Sequence, residues 1–358
     1  MNAKNAASVA IFLGLIVILG VFAWYWMGGP MYRPGGLHAS ALLEPPPQPA
    51  GGDYWVMAPN VRLYHYADGS GPDVLVVHGG PGYPIHKPPA GLRALDSQYR
   101  FEYYDQRGCG KSSRPVDRLG SGNFYQNMQA LDAALGLGAQ VSDIERIRRI
   151  LHDDKLILLG HSFGGFLAAM YAAEFPEHVK GLILVAPATV LVMPQKAGGL
   201  FEEVRASLPA GKRAAFGAFL NQYLDFHHVF DMSEAELAAM NVEFARYYET
   251  AAAAHGMTLP SMADTQDAGG WMVQAMYLSM GRWHDYREAL RKVTAPVLVI
   301  HGARDLQTEA ESRAYAQCFP HARFVVIPDA GHFPFAGQPD EFAAAAGQFL
   351  RELNGTTL

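Results

Sequence analysis

Along most of this chain the apolar residues come in short unbroken runs, with stretches of helical spacing between them. The runs at 54–57, 61–66, 74–78, 101–104, 156–159, 182–185, 297–301 and 324–327 read as strands. Several, such as Val74-Leu-Val-Val77 and Val297-Leu-Val-Ile300, are continuous rather than alternating. Continuous runs suit strands covered on both faces of a mostly parallel sheet. Helical stretches at 142–152 and 163–175 lie between them, and this alternation predicts a doubly wound α/β fold. The rhythm breaks once. Between Val185 and Val297 about 110 residues carry no strand-like run, far beyond an ordinary loop, and they are rich in Ala, Glu, Met and aromatics at helical spacing. Residues 190–290 are therefore expected to form a helical cap inserted into a core made of 53–189 and 291–358.

A different pattern occupies the amino terminus. Residues 8–27 are apolar throughout and uncharged, and end in Trp24-Tyr-Trp26. Twenty helical residues span about 30 Å, the thickness of a bilayer's hydrocarbon, and aromatic rings favour its interface. A cleavable signal would have a shorter apolar region and a small-residue site after it. The expectation is one N-terminal transmembrane helix within 1–28, acting as an uncleaved membrane anchor. Lys4 points to a cytoplasmic amino terminus and so to a body on the non-cytoplasmic, periplasmic or extracellular, side. Residues 29–52, with Pro34-Gly-Gly36 and Glu44-Pro-Pro-Pro47, show no core periodicity and read as a Pro/Gly-rich tether.

Composition narrows the function classes. Half of the 358 residues are hydrophobic and only 17% are charged, so a large core is available. A net charge of −6 argues against nucleic acid as a partner. Cys109 and Cys318 lie in no CxxC or His/Cys cluster, and His227-His228 lacks ligand companions, so no metal and no other cofactor is expected. Cys109 reads as a turn residue and Cys318 as a packed helix residue.

Two glycine-rich turns carry the chemistry. Lys155-Leu-Ile-Leu-Leu159 runs into Gly160-His-Ser-Phe-Gly164, the pattern of a nucleophile elbow that lifts the Ser162 hydroxyl above a sheet. Gly160 and Gly164 are expected where helix and strand crowd together. A serine hydroxyl needs a base, and the base a third group to hold it. In the chain order Ser…Asp…His the acid is Asp305, just past the strand 297–301, with Asp329 as the runner-up read as a turn residue; the base is His332, after the last strand. His161 reads as a packing residue behind the elbow. The oxyanion hole is expected from the backbone N–H of Phe163 and of Gly80, in the turn His78-Gly-Gly-Pro-Gly82, which His78 would brace. These parts predict a serine hydrolase acting through an acyl-enzyme on a small-molecule or short-peptide substrate.

Taken together, His78-Gly-Gly-Pro-Gly82, Asp105-Gln-Arg-Gly-Cys-Gly-Lys-Ser-Ser113, the serine elbow, Asp305 and His332 resemble the proline iminopeptidase family of α/β-hydrolases. The resemblance covers about 54–353. It implies an α/β-hydrolase fold, release of an amino-terminal residue, often proline, from small peptides, and a structural role for Asp105 and Arg107. It also implies cap glutamates that hold the substrate's free amine. The cap offers Glu202, Glu203, Glu234, Glu236, Glu243 and Glu249, of which most read as solvated charges and Glu249, next to Tyr248, is the candidate. The histidine before Ser162 is common among esterases, so a carboxylesterase, or another small ester, lactone or amide hydrolase, is the alternative. A non-catalytic membrane-anchored binding module is the remaining one.

Overall fold

A period of two along each strand decides how the core is divided. Residues Leu75, Val77, Leu158, Val297 and Val299 face one apolar cluster, while Val74, Val76, Ile157, Leu159, Leu298 and Ile300 face another. Both faces of the sheet are thereby covered, and this is why these runs are apolar throughout.

The computed structural model describes residues 28–37, 44–195, 199–226, 228–257, 259 and 267–355. The main sheet uses β1 (Tyr54–Ala58), β2 (Val61–Gly69), β3 (Asp73–Val77), β4 (Arg100–Tyr104), β5 (Leu156–His161) and β6 (Val179–Val185). After a short pair, β7 (Val192–Met193) and β8 (His284–Asp285), it is completed by β9 (Val297–Gly302) and β10 (Ala322–Ile327). The order is β1-β2-β4-β3-β5-β6-β9-β10. β1 pairs with β2 and β2 with β4 antiparallel, and the other neighbours are parallel. Each strand-like run of the sequence matches one of these strands, the run at 74–78 extending one residue past the end of β3.

Helices α1 (Phe124–Leu135), α2 (Leu137–Leu151) and α3 (Phe163–Glu174) follow in the chain. Between β6 and β9 come α4 (Leu200–Ser207), α5 (Ala210–Tyr223), α6 (Glu234–Ala254) and α7 (Trp271–Met280). The start of α6 is set locally, because the Ser233 hydroxyl accepts from Glu236 N at 3.3 Å and the Glu236 carboxylate accepts from Ser233 N at 2.7 Å. Helices α4 to α6 share their own cluster around Phe216, Tyr223 and Tyr248, whereas α7 buries Trp271, Ala275 and Met276 in the main core. β7 and β8 pair antiparallel where the inserted chain leaves and returns. Two longer helices near the carboxyl end, α8 (Glu309–Cys318) and α9 (Pro339–Leu353), pack on opposite faces of the sheet.

One expectation meets a different arrangement. Described residues of the proposed tether lie on the body instead of holding it away. Met31 N donates to Ser279 O at 2.8 Å and Arg282 N to Gly28 O at 2.7 Å. Tyr32 is buried, donates to Glu174 at 2.8 Å through its hydroxyl, and accepts from the Tyr286 hydroxyl at 3.0 Å through its carbonyl. Gln48 pairs through its side-chain amide with both Val56 O (2.9 Å) and Val56 N (2.8 Å), covering the exposed edge of β1. Isolated Tyr and Gln residues among glycines and prolines give no periodic signal, so this docking was not legible in the sequence. Among the described residues no helix is long and apolar enough to cross a membrane. The anchor segment 8–27 lies outside the described residues.

Candidate active site

Register brings the chemistry to one edge. Val77 pairs with Gly160, His161 with Val185, Val185 with Ile300, and Gly302 with Ile327. The carboxyl ends of β3, β5, β9 and β10 are therefore level, and the turns leaving them share one crevice, where parallel α/β sheets place ligand groups.

Ser162 occupies the turn between β5 and α3 with φ 54° and ψ −122°, a conformation costly for any residue with a side chain. Hydrogen bonds hold it there. Ser162 N donates to Val185 O at 2.9 Å, and Ser162 O accepts from Gly165 N and Ala188 N, both at 2.9 Å. The neighbouring glycines are required sterically. A Cβ on Gly164 would overlap the carbonyl oxygens of Val77 and His78, and one on Gly160 would overlap Gly164 O and sit 2.7 Å from Gly165 Cα. Gly79 is pressed against the elbow, since a Cβ there would lie 2.8 Å from Ser162 Cβ.

The glycine turn after β3 is braced from below. His78 Nδ1 bonds Gly79 O at 2.9 Å and its Nε2 accepts from Gln106 N at 3.0 Å, while the Gln106 amide donates to His78 O at 2.8 Å. These partners fix the tautomer, and burial holds His78 down at about 4, so the ring stays neutral. Arg107 forks onto Asp143 with two bonds of 2.5 Å, and Asp105 accepts from Lys111 N at 2.8 Å. Burial raises the Asp105 carboxyl to about 6. The Asp105–Ser113 segment thus shapes the turns beneath the crevice.

His332 Nδ1 lies 2.8 Å from Asp305 Oδ2, and Asp305 Oδ1 accepts from Gln307 N at 3.0 Å. Both carboxylate oxygens are engaged, and the Asp305 side chain is fully buried. Asp329, the runner-up acid, has φ 59° and pairs with Arg304 on the surface. His161 does more than fill space. Its Nε2 donates to His332 O at 2.8 Å, and its ring lies 4.9 Å from that of His332. Burial, reinforced by His332, keeps His161 well below the ordinary histidine range.

Two consequences can be measured for His161→Leu. Loss of the bond to the His332 carbonyl should displace His332, the candidate base, and a misplacement of about 1 Å can cost about a hundredfold in rate. Its stability effect should also depend on pH. His161 stays neutral when folded but protonates when unfolded below about 6.5, so wild-type stability is lost relative to the variant as pH falls, by up to about 1.4 kcal/mol per pH unit. Urea midpoints at pH 7 and pH 5 check this; a constant difference between the two proteins would contradict it.

Ser162, His332 and Gly80 all line one cavity of about 460 Å³, within the size range of small-molecule sites. Phe163 begins α3 directly after Ser162, with its ring packed on Phe166. The walls are mainly aromatic and aliphatic, from Tyr83, Tyr223, Phe244, Tyr248, Tyr277 and Phe333 among others. Glu249 is not among them; its neighbour Tyr248 forms the wall, and the Glu249 charge adds to burial in raising the Tyr83 phenol. Among the described residues no carboxylate lines the cavity. The cap glutamate Glu234 is used structurally, accepting from Gly270 N at 2.9 Å and Trp271 N at 2.6 Å at the start of α7 and pairing with Arg114 at 2.6 Å. Among the described residues no cluster suits a metal ion.

The α/β hydrolase fold model matches residues 72–339. The chain belongs to the α/β hydrolase fold family. Within it, the proline iminopeptidase of Heyndrickxia coagulans is 27% identical over 301 residues, covering 80% of this chain and 93% of that one. Two solved structures share the fold. A thermophilic esterase from Thermogutta terrifontis superposes with a TM-score of 0.53 at 22% identity, covering 82% of this chain and 94% of that one. The proline iminopeptidase of Mycobacterium smegmatis does so with a TM-score of 0.53 at 23% identity, covering 83% and 96%. This α/β hydrolase thus combines peptidase relatives in sequence with both esterase and peptidase neighbours in fold. Gln307 and the wall aromatics Tyr83, Tyr223, Phe244 and Tyr277 were not legible as site residues, because nothing in their local sequence distinguishes them from packing residues.

Proposed function

We propose that this α/β hydrolase is a serine hydrolase for esters with an apolar acyl group. Ser162 Oγ attacks the acyl carbonyl as His332 Nε2 takes its proton, and Asp305 holds the imidazole and offsets its charge. The same proton passes to the departing oxygen as the acyl–oxygen bond breaks. Water then attacks the acyl-Ser162 ester, its proton taken by His332 and returned to the serine. Backbone N–H groups of Phe163 and Gly80 are assigned to the developing oxyanion. The observation that carries this reading is the buried 2.8 Å Asp305–His332 contact, with Ser162 on a strained turn of the same apolar cavity.

A peptidase of proline iminopeptidase type is the second reading. The motifs at 78–82 and 105–113 and the relatives at 27% identity favour it. Against it stands a wall that, among the described residues, offers no carboxylate to a cationic amine. The assay uses the full chain in mild detergent, since Tyr32 belongs to the core. Turnover of 4-nitrophenyl butanoate, little turnover of proline-4-nitroanilide, and labelling of Ser162 by a fluorophosphonate are expected. Faster turnover of the anilide would reverse the order of the two readings, and an unlabelled Ser162 would remove both.

A further inference from the structure

Most polar groups around the cavity are already paired. The Tyr83 hydroxyl donates to Asn241 O at 2.6 Å, and the Tyr223 hydroxyl to Asn241 Oδ1 at 2.8 Å. Two are not. The Tyr248 hydroxyl and Gln307 Oε1 have no hydrogen-bond partner, although both atoms are out of bulk solvent and both residues line the cavity at about one-twentieth exposure. Buried polar atoms are nearly always satisfied, so an orphaned pair in a binding cavity marks where a ligand brings the missing partner.

Their position says which part of the substrate they meet. The Tyr248 ring stands edge-on to His332, with centroids 6.0 Å apart, and the Gln307 amide nitrogen lies 3.4 Å from both ring nitrogens of His332. The Tyr248 ring and the Gln307 amide therefore both lie beside the imidazole that, in the reading above, delivers a proton to the leaving group. Gln307 is held there by its own backbone, whose N–H donates to Asp305.

We propose that Tyr248 and Gln307 select esters whose alcohol portion carries a hydroxyl next to the ester oxygen, as in a glycol or polyol monoester. A hydroxyl both donates and accepts, so one such group can donate to Gln307 Oε1 and accept from the Tyr248 phenol. An alcohol without it leaves both atoms buried and unpaired. This inference rests on the ester-hydrolase reading above.

The test compares 2-hydroxyethyl butanoate with propyl butanoate, which differ by a hydroxyl in place of a methyl at the same length. The full chain should prefer the hydroxyethyl ester by about tenfold to a hundredfold in kcat/KM, because the site's buried polar atoms go unpaired with the other. Tyr248→Phe and Gln307→Leu should each lower that ratio by about threefold to tenfold, and the double variant should bring it close to one. A variant that merely folds poorly loses both activities in proportion and leaves the ratio unchanged. Equal turnover of the two esters by the wild type, or a ratio that neither substitution moves, would overturn the proposal while leaving the hydrolase reading intact. Failure to cleave either ester would overturn both.

Discussion

Alanine at position 162 is expected to lower kcat on 4-nitrophenyl butanoate by about 10⁶-fold, the loss that follows removal of the nucleophile from a Ser-His-Asp set. The proposed hydroxyl is the atom that becomes acylated, and no neighbouring side chain can take its place on that turn. His332→Ala should cost nearly as much, since an unactivated hydroxyl is a poor nucleophile. The combined variant should lose little more than either alone, because the groups act as a unit. A stability measurement separates chemistry from folding. Ser162 has φ 54°, which glycine adopts freely, so Ser162→Gly should abolish activity yet raise the unfolding free energy by about 1 kcal/mol or more through relief of that strain. An inactive protein with a higher urea midpoint would locate the strain at the proposed nucleophile. Retention of more than about one part in a hundred of wild-type activity by Ser162→Ala, against the 10⁶-fold loss expected, would place the nucleophile elsewhere.

The second large effect is expected at Gly164. Its missing side chain is what lets α3 approach β3, because a Cβ there would overlap the backbone oxygens of both Val77 and His78. Neither oxygen belongs to a flexible side-chain end that could swing aside. Val77 closes a central strand, and His78 O is already held by the Gln106 amide. Gly164→Ala should therefore cost about 3 kcal/mol or more, at or beyond the upper range for overpacking. It should also depress activity by displacing the glycine turn assigned to the oxyanion. Gly337, with open space around its Cα, is the control, and alanine there should leave the midpoint almost unchanged. An unaltered urea midpoint in Gly164→Ala would mean that the elbow is looser than described.

Much of the core was legible because its signals are local. Unbroken Val/Ile/Leu runs mark strands covered on both sides, and the structure has a sheet with two apolar faces. The elbow glycines are tied to a single turn whose sterics exclude a side chain, so the spacing around Ser162 carries its own meaning. Asp305 and His332 could be nominated from chain order, but their 2.8 Å contact is a product of register between β9 and β10. The cap was harder. Its helical content follows from composition, yet α7 buries Trp271 in the main core while α4 to α6 keep a cluster of their own. Nothing in the spacing of apolar residues separates those outcomes.

Roles of single polar residues were the least legible. Glu249 is the candidate for binding an amine, but α6 lines the cavity with Asn241, Phe244 and Tyr248, and Glu234 is spent on the start of α7. Adjacent positions on a helix point about 100° apart, so a shift of one residue decides which side chain meets the cavity. Residues 28–37 illustrate the same limit at longer range. Tyr32 finds Glu174 and Tyr286, partners some 140 and 250 positions away, and no pattern within the segment announces them.

By itself the amino-acid sequence determined that this protein has a parallel α/β core with a serine on a glycine-flanked turn, because continuous apolar runs and tight turns are governed by forces between near neighbours along the chain. Only the tertiary structure decided that the cavity over that serine is walled by aromatic rings, that two buried polar atoms beside His332 lack partners, and that residues 28–37 are part of the body. Those features arise where segments distant in sequence converge, and what each side chain then meets depends on the packing of all of them at once.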